Sequence, residues 1–128
     1  MTVAISSQGA RSRMPLKAKY LFVASMDVDK DKEDLFNEVY DTEHVPNILK
    51  VPGVHAASRV TAEAFTVVIG GVSKDVPAES PRYHALYEID SPAVLLSKEW
   101  AAAAEAGRWP SQVRPFTRNR KHALYKVR

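Results

Sequence analysis

Cysteine, long apolar runs and a marked excess of either charge are all missing from this sequence. Without cysteine, disulfide bonds, thiolate nucleophiles and cysteine-based zinc sites are excluded. No apolar run approaches the roughly 20 residues that a membrane-spanning helix needs, so we expect no membrane partner. The N-terminus also lacks the apolar segment of a secretory signal. Together these features favour a cytoplasmic protein.

The composition is that of one ordinary globular domain. The chain has 128 residues, of which 45% are hydrophobic and 26% charged, enough for a single packed core. The formal charge of +3 is small, and interleaved acids and bases neither require nor exclude an anionic partner. Residues 1–18 are serine-rich, basic and free of acids. We predict a flexible N-terminal arm there, followed by one domain over residues 19–128.

The first half of the domain carries a strand pattern followed by a helix pattern. Residues 20–26 form an apolar run rich in aromatic and β-branched side chains, which predicts a strand. An amphipathic helix capped by Asp31 follows. Pro46 lacks a backbone N–H and disfavours a helical residue before it, so we predict a break and a separate turn over residues 46–50. The apolar positions of the helix are Leu35, Phe36, Val39 and Tyr40.

The second half of the domain continues with two strands, a helix and a last strand. The predicted elements are strand 54–69, loop 72–81, strand 82–89, helix 91–107, loop 108–116 and strand 119–127. The order strand, helix, strand, strand, helix, strand predicts an α+β, ferredoxin-like βαββαβ fold. Its four-stranded antiparallel sheet would carry both helices on one face.

The first strand carries apolar side chains on both of its faces. Tyr20, Phe22 and Met26 share one side, whereas Leu21 and Val23 lie on the other. A sheet with helices on one side only should present polar residues on its bare side. We therefore expect a second copy of the chain to cover that side, giving a homodimer through the sheet face.

Several segments resemble one branch of a known superfamily. The matching segments are residues 40–46 (YDTEHVP), 51–54 (VPGV) with Arg59, 83–92 (YHALYEIDSP), 118–119 (RN) and 124–125 (LY). They resemble the EthD-like branch of the dimeric α/β-barrel superfamily. The resemblance spans about residues 20–128. It implies a dimeric α/β barrel with a pocket between the sheet and the helices of each subunit.

The resemblance implies a range of activities. Relatives across the superfamily include cofactor-free monooxygenases, muconolactone isomerases, polyketide cyclases and haem-binding enzymes, so the fold does not select the function. One hypothesis is a cofactor-free enzyme of isomerase, cyclase or monooxygenase type. It would act on a small hydrophobic aromatic or lactone-like carbonyl compound by histidine acid/base chemistry. The alternative is a non-catalytic small-ligand-binding or assembly protein of the same fold.

His44 is the main candidate for a catalytic residue. It lies at a helix end, four residues after Tyr40, so the imidazole and the phenol share one face if the helix continues that far. An imidazole titrates near neutral pH and can move a proton to or from a substrate. The alternative is a structural role, in which His44 caps the C-terminus of the helix.

Three strand residues complete the predicted site. Arg59 is predicted to hold a carboxylate or enolate oxygen, and its alternative is an ion pair with an acid such as Glu88. Tyr83 and Tyr87 share strand parity, and both line the pocket if Tyr87 faces the helices. His84 would then lie at the dimer face. The alternative for the tyrosines is cross-strand aromatic packing.

The tryptophans are further substrate-binding candidates. Trp100 has the helical spacing of a core residue, and Trp109 lies in a predicted loop, as a lid over the pocket or a dimer contact. We expect His55 and His122 at the surface or at an interface. No spacing of histidines and acids gathers three metal ligands, and no haem-attachment signature is present. We therefore expect neither a metal nor a cofactor.

An RNA-recognition module is the rival interpretation from another class of protein, because it has the same order of elements. Residues 21–26 are similar to its first-strand signature. The third strand, however, lacks the alternation of glycine and aromatic residues that exposes stacking rings. The basic segment 114–121 could still touch phosphates, but we expect no nucleic-acid partner.

Overall fold

The computed structural model describes residues 15–128. Its main elements are β1 (Tyr20–Val28), α1 (Glu33–Val39), α2 (Val45–Leu49), β2 (Val54–Thr61), β3 (Phe65–Ile69), β4 (Val72–Val76), β5 (Tyr83–Ile89), α3 (Lys98–Ala104) and β6 (Thr117–Lys126). Most of the predicted N-terminal arm lies outside the described residues. At its end, the backbone N–H groups of Lys17 and Ala18 donate to the Glu88 carboxylate at 2.5 and 3.0 Å.

The main sheet has the strand order β2-β5-β1-β6, and each neighbouring pair is antiparallel. This confirms the predicted α+β class with a four-stranded antiparallel sheet. Side chains alternate along β5, where Tyr83, Ala85, Tyr87 and Ile89 are buried and the residues between them are half-buried. The buried side packs against the helices, so the two tyrosines face the helical layer. No helix within residues 15–128 is long and apolar enough to cross a membrane.

The helix before β2 runs through the predicted break. A 3₁₀ turn (Lys30–Lys32) precedes α1, and α1, a π turn (Tyr40–His44) and α2 then follow one another with helical backbone angles at their junctions. The N–H of Val45 donates to the carbonyl of Tyr40, five residues back. The predicted second helical turn over residues 46–50 corresponds to α2, but the backbone stays helical between α1 and α2, because this wider turn lies directly before Pro46, where the helix must lose a hydrogen bond. Asp31 lies inside the 3₁₀ turn and is not the predicted cap.

The predicted second strand over residues 54–69 is in fact divided. It leaves the main sheet at Thr61, and residues 65–69 pair instead with residues 72–76, in the segment predicted as a loop. Gly70 and Gly71 have φ angles of 59° and 77°, which suit the two central positions of a tight hairpin turn. The resulting hairpin exposes four large apolar side chains, Phe65, Val68, Ile69 and Val72.

The segment after β5 is more broken than predicted. A 3₁₀ helix (Pro92–Leu96) precedes α3, and Ser97 caps α3 by accepting a hydrogen bond from the N–H of Trp100 at 3.1 Å. Because of this offset, the side chain of Leu96 is 88% exposed rather than buried. The predicted loop over residues 108–116 forms a π turn (Trp109–Val113) and a 3₁₀ turn (Arg114–Phe116). These turns bring Trp109 under the helical layer.

Candidate functional site

A cavity of about 140 Å³ lies between the sheet and the helices. Its floor comes from β1, β5 and β6, and its walls come from the π turn before α2, from α3 and from the turns before β6. A cavity of about 150 Å³ in another protein accommodates benzene, so this space matches one aromatic ring. The lining residues are Phe22, Ala24, Met26, Tyr40, His44, Ile48, Tyr87, Trp100, Ala104, Trp109, Arg114, Arg120 and His122.

His44 borders the cavity and is only 8% exposed. Its ring stacks on Trp109 at 4.5 Å between centroids and meets the edge of Tyr40 at 5.0 Å. Within residues 15–128, no group forms a hydrogen bond with its Nδ1 atom. The pKa of His44 is lowered from 6.5 to about 4, mainly by burial and also by the charges of Arg114 and Arg120, whereas Glu105 opposes the change. The imidazole is therefore neutral at pH 7 and can accept a proton.

Two buried phenols, those of Tyr40 and Tyr87, lie at the same cavity. Burial raises the pKa of both, and each phenol affects the ionisation of the other. They are therefore protonated at neutral pH and can donate a hydrogen bond to a ligand oxygen. The spacing of Tyr40 and His44 places both rings at the cavity because the helix continues through the π turn.

The two predicted tryptophans form aromatic walls of the cavity. Trp100 meets the edges of Phe22 at 5.7 Å and Tyr87 at 5.6 Å. Trp109 is 2% exposed and packs against His44 and Tyr40. It lies inside the subunit, under the helical layer, rather than over the mouth of the cavity.

Three basic residues at the cavity were not predicted from the sequence as site residues. Arg114, Arg120 and His122 all line it. Arg114 donates two hydrogen bonds to the Glu105 carboxylate, at 2.8 and 2.9 Å, and one to the carbonyl of Ala104 at 3.2 Å. Arg120 and His122 share strand parity, which the sequence shows. Which face of the sheet they occupy depends on how β6 pairs with β1.

A β-bulge lies in β6 next to Arg120. In the pairing of β1 with β6, Ser25 lies opposite Lys121 whereas Asp27 lies opposite Arg118, so β6 carries one extra residue. Asn119 adopts a φ angle of 54° in this bulge, and its side-chain amide donates to the Asp27 carboxylate at 2.8 Å. Bulges of this kind redirect a side chain.

Arg59 and Tyr83 lie outside the cavity. Arg59 donates to Asp41 at 2.8 Å and to Asn37 at 2.9 Å, and its guanidinium lies 4.5 Å from the centre of the Tyr40 ring. It therefore packs behind Tyr40, and its ion-pair partner is Asp41 rather than the acid suggested from sequence. Tyr83 packs on Phe36, and its hydroxyl group donates a hydrogen bond to the Glu33 carboxylate.

The remaining three histidines lie in three different parts of the fold. His84 lies on the face of the sheet opposite the helices, with its Nδ1 atom 2.6 Å from the Ser25 hydroxyl. His55 is exposed and pairs with Asp90. His122 is exposed, as expected, and it also borders the cavity, where its ring stacks on Phe22 at 5.7 Å. Among residues 15–128, no three metal-ligating side chains come together.

Comparison with known proteins adds information on the fold. No family model matches the chain, and no curated protein sequence is detectably similar to it. The structure is similar to the crystal structure of a mutant of MhuD with two manganese protoporphyrin IX molecules bound per active site. The TM-score is 0.55 at 10% sequence identity, over 84% of this chain and 93% of that chain. At this identity the likeness shows the fold alone, which is ferredoxin-like.

Proposed function

We propose that the cavity is the active site of a small cofactor-free enzyme that moves a proton on a one-ring carbonyl compound. The observation that carries this proposal is the neutral, buried imidazole of His44 beside two protonated phenols in a cavity of one-ring size. The residue matches given above support the EthD-like branch as its place within the superfamily.

The proposed step is the transfer of a proton from a carbon next to a carbonyl group. The C–H bond breaks, its proton bonds to His44, and its electron pair moves to the carbonyl oxygen to form an enolate. Tyr40 and Tyr87 donate hydrogen bonds to that oxygen. The negative charge of the enolate raises the pKa of His44, so proton transfer and enolate formation favour each other. In a substrate with a carbon–carbon double bond next to the α-carbon, the enolate is conjugated, and return of the proton at the far end of that double bond completes an isomerisation.

Arg59 acts in this proposal through Tyr40, against whose ring its guanidinium packs. It is a positioning residue. Stabilisation of a negative charge falls to Arg114 and Arg120, which reach the cavity.

A porphyrin does not fit this site. The similar MhuD structure binds manganese protoporphyrin IX, a macrocycle of four pyrrole rings. The cavity of about 140 Å³ has room for one ring. Trp109 and His44 stack at 4.5 Å and leave no room for a macrocycle between them. No step of the proposed reaction therefore uses haem.

Replacing His44 with alanine tests the proposal. One-ring phenols, quinones and lactones would first be screened by thermal shift, and exchange of their α-protons in D₂O would then be followed by NMR. We expect the wild type to exchange at least one compound, and His44→Ala to slow that exchange by roughly 100-fold or more.

His55→Ala is the matched control, because His55 is exposed and remote from the cavity, and it should exchange at the wild-type rate. Equal exchange by His44→Ala and the wild type would remove His44 from the reaction. Ligand binding without any exchange would identify the protein as the non-catalytic alternative.

The functional unit in this proposal is a homodimer through the face of the sheet opposite the helices. This sheet face carries Leu21, Val23, Leu86, Ala123 and Tyr125 around a groove of about 400 Å³. Exposed apolar surface of this kind marks an interaction site, and a two-fold axis would use the same patch twice. The hairpin of β3 and β4, with its exposed apolar side chains, starts next to this groove at Ala62.

Leu86→Glu tests the dimer. A carboxylate on the sheet face would be desolvated in the dimer and would repel the same carboxylate of the second copy across a two-fold axis. We therefore expect the dissociation constant of the dimer to be at least tenfold higher than for the wild type. Sedimentation velocity over a range of concentrations measures this change. Leu96→Glu, at an exposed site outside the sheet face, should leave the assembly unchanged. A wild-type chain that stays monomeric at high concentration would refute the dimer.

The positions of the β5 tyrosines argue against an RNA-recognition module. Both rings face the helices and are buried, so neither can stack on a base. The opposite side of β5 presents His84, Leu86 and Glu88.

A further inference from the structure

The charges around the cavity are all of one sign. Two guanidinium groups, those of Arg114 and Arg120, supply these charges, because the imidazoles of His44 and His122 are neutral at pH 7 and no carboxylate is among the lining residues within the described part of the chain. A cavity of one-ring size with such a lining is electrostatically suited to an anion.

The two arginines differ in how their charges are compensated. Arg114 is held by the Glu105 carboxylate, which neutralises much of its charge and fixes its position. Arg120 forms no salt bridge with any residue in the 15–128 range. Its positive charge is therefore free to pair with a bound anion.

The backbone at Arg120 is held in an irregular form. The bulge in β6 requires a positive φ angle at Asn119, which costs energy in a residue other than glycine. Asp27 fixes the bulge by accepting hydrogen bonds from Asn119 at 2.8 Å and from the N–H of Arg82 at 2.7 Å. This network holds the part of β6 that carries Arg120 at the cavity.

We propose that the cavity binds an aromatic carboxylate of one ring, with its carboxylate paired to Arg120 and its ring against Phe22 and Trp100. This inference rests on the proposed function, of which it names the substrate class. Phe22 and Trp100 already meet edge to face at the cavity and present an apolar, aromatic wall. A guanidinium recognises a carboxylate through two parallel hydrogen bonds. The ring and the charge are therefore recognised by different walls of one cavity.

Benzoate and its neutral counterpart benzamide test this proposal, because they share size and shape and differ in charge. Their affinities would be measured by NMR titration of the wild type, of Arg120→Gln and of Arg128→Gln. We expect the wild type to bind benzoate at least tenfold more tightly than benzamide. Arg120→Gln should weaken benzoate binding about tenfold and leave benzamide binding unchanged.

Arg128→Gln removes the same charge from the chain at a site beyond the end of β6, and it should bind both probes like the wild type. Equal affinities for benzoate and benzamide, or a preference for benzoate that survives in Arg120→Gln, would overturn the anion proposal. The proposed function would survive that result if the exchange of α-protons still depended on His44. Failure of both probes to bind the wild type would count against the ligand cavity itself.

Discussion

Replacing Trp109 with alanine is expected to lower the free energy of unfolding by about 3–5 kcal/mol. The side chain is 2% exposed and packs on His44 at 4.5 Å, Tyr40 at 5.0 Å and Phe36 at 6.1 Å. Its removal would leave an empty space beside these rings, and the rigid helical turns around it could fill that space only in part. Urea denaturation followed by circular dichroism measures the change without relying on tryptophan fluorescence.

Two further variants make the result for Trp109 interpretable. Leu96→Ala removes a large apolar side chain that is 88% exposed, and it should change stability by no more than about 0.5 kcal/mol. Trp109→Phe keeps an aromatic ring against His44 and should lose less stability than Trp109→Ala. A Trp109→Ala protein as stable as Leu96→Ala would show that Trp109 does not pack in the core as described.

His44 is expected to make the protein less stable in mild acid. Its pKa is lowered from 6.5 to about 4 in the folded protein, so between these values the unfolded chain binds the proton more readily. The contribution of His44 is therefore complete above pH 6.5 and is lost as the pH falls towards 4. Since one pKa unit corresponds to about 1.4 kcal/mol, the full loss is about 3 kcal/mol.

The comparison of the wild type with His44→Gln isolates this effect. Burial and Arg120 also lower the pKa of His122, and that contribution is common to both proteins. Free energies of unfolding at pH 7 and pH 4.5 should therefore differ more for the wild type than for His44→Gln. An NMR titration of the His44 ring would give its pKa directly. A midpoint near 6.5 would contradict the buried, neutral imidazole.

Part of the candidate site was visible in the sequence because it depends on local geometry. The four-residue spacing of Tyr40 and His44 requires only that the helix continue, and strand parity alone places Tyr83 and Tyr87 on one face. The cavity then admits Tyr87 and not Tyr83, because Tyr83 lies four residues earlier, at the start of β5, beside Phe36 and Glu33. No local pattern distinguishes these two tyrosines.

Other features depend on residues far apart in the chain. Residues 65–69 have the composition of a strand in the main sheet, yet they pair with residues 72–76 because two glycines allow a tight turn between them. Arg120 lies at the cavity beside a bulge between β6 and β1 that Asp27 fixes through the side chain of Asn119. Arg59 has the chemistry to bind an anion, but Asp41 and Asn37 already hold it.

The sequence by itself determined the α+β class, the four strands of the main sheet, the apolar character of both sheet faces and the pairing of His44 with Tyr40. Each of these follows from side-chain periodicity and from the conformational limits of proline and glycine, which act over a few neighbouring residues. Only the tertiary structure decided the size of the cavity, the neutral state of His44 and which arginines face a ligand. These properties depend on burial and on the register between distant strands, and both exist only once the chain is packed.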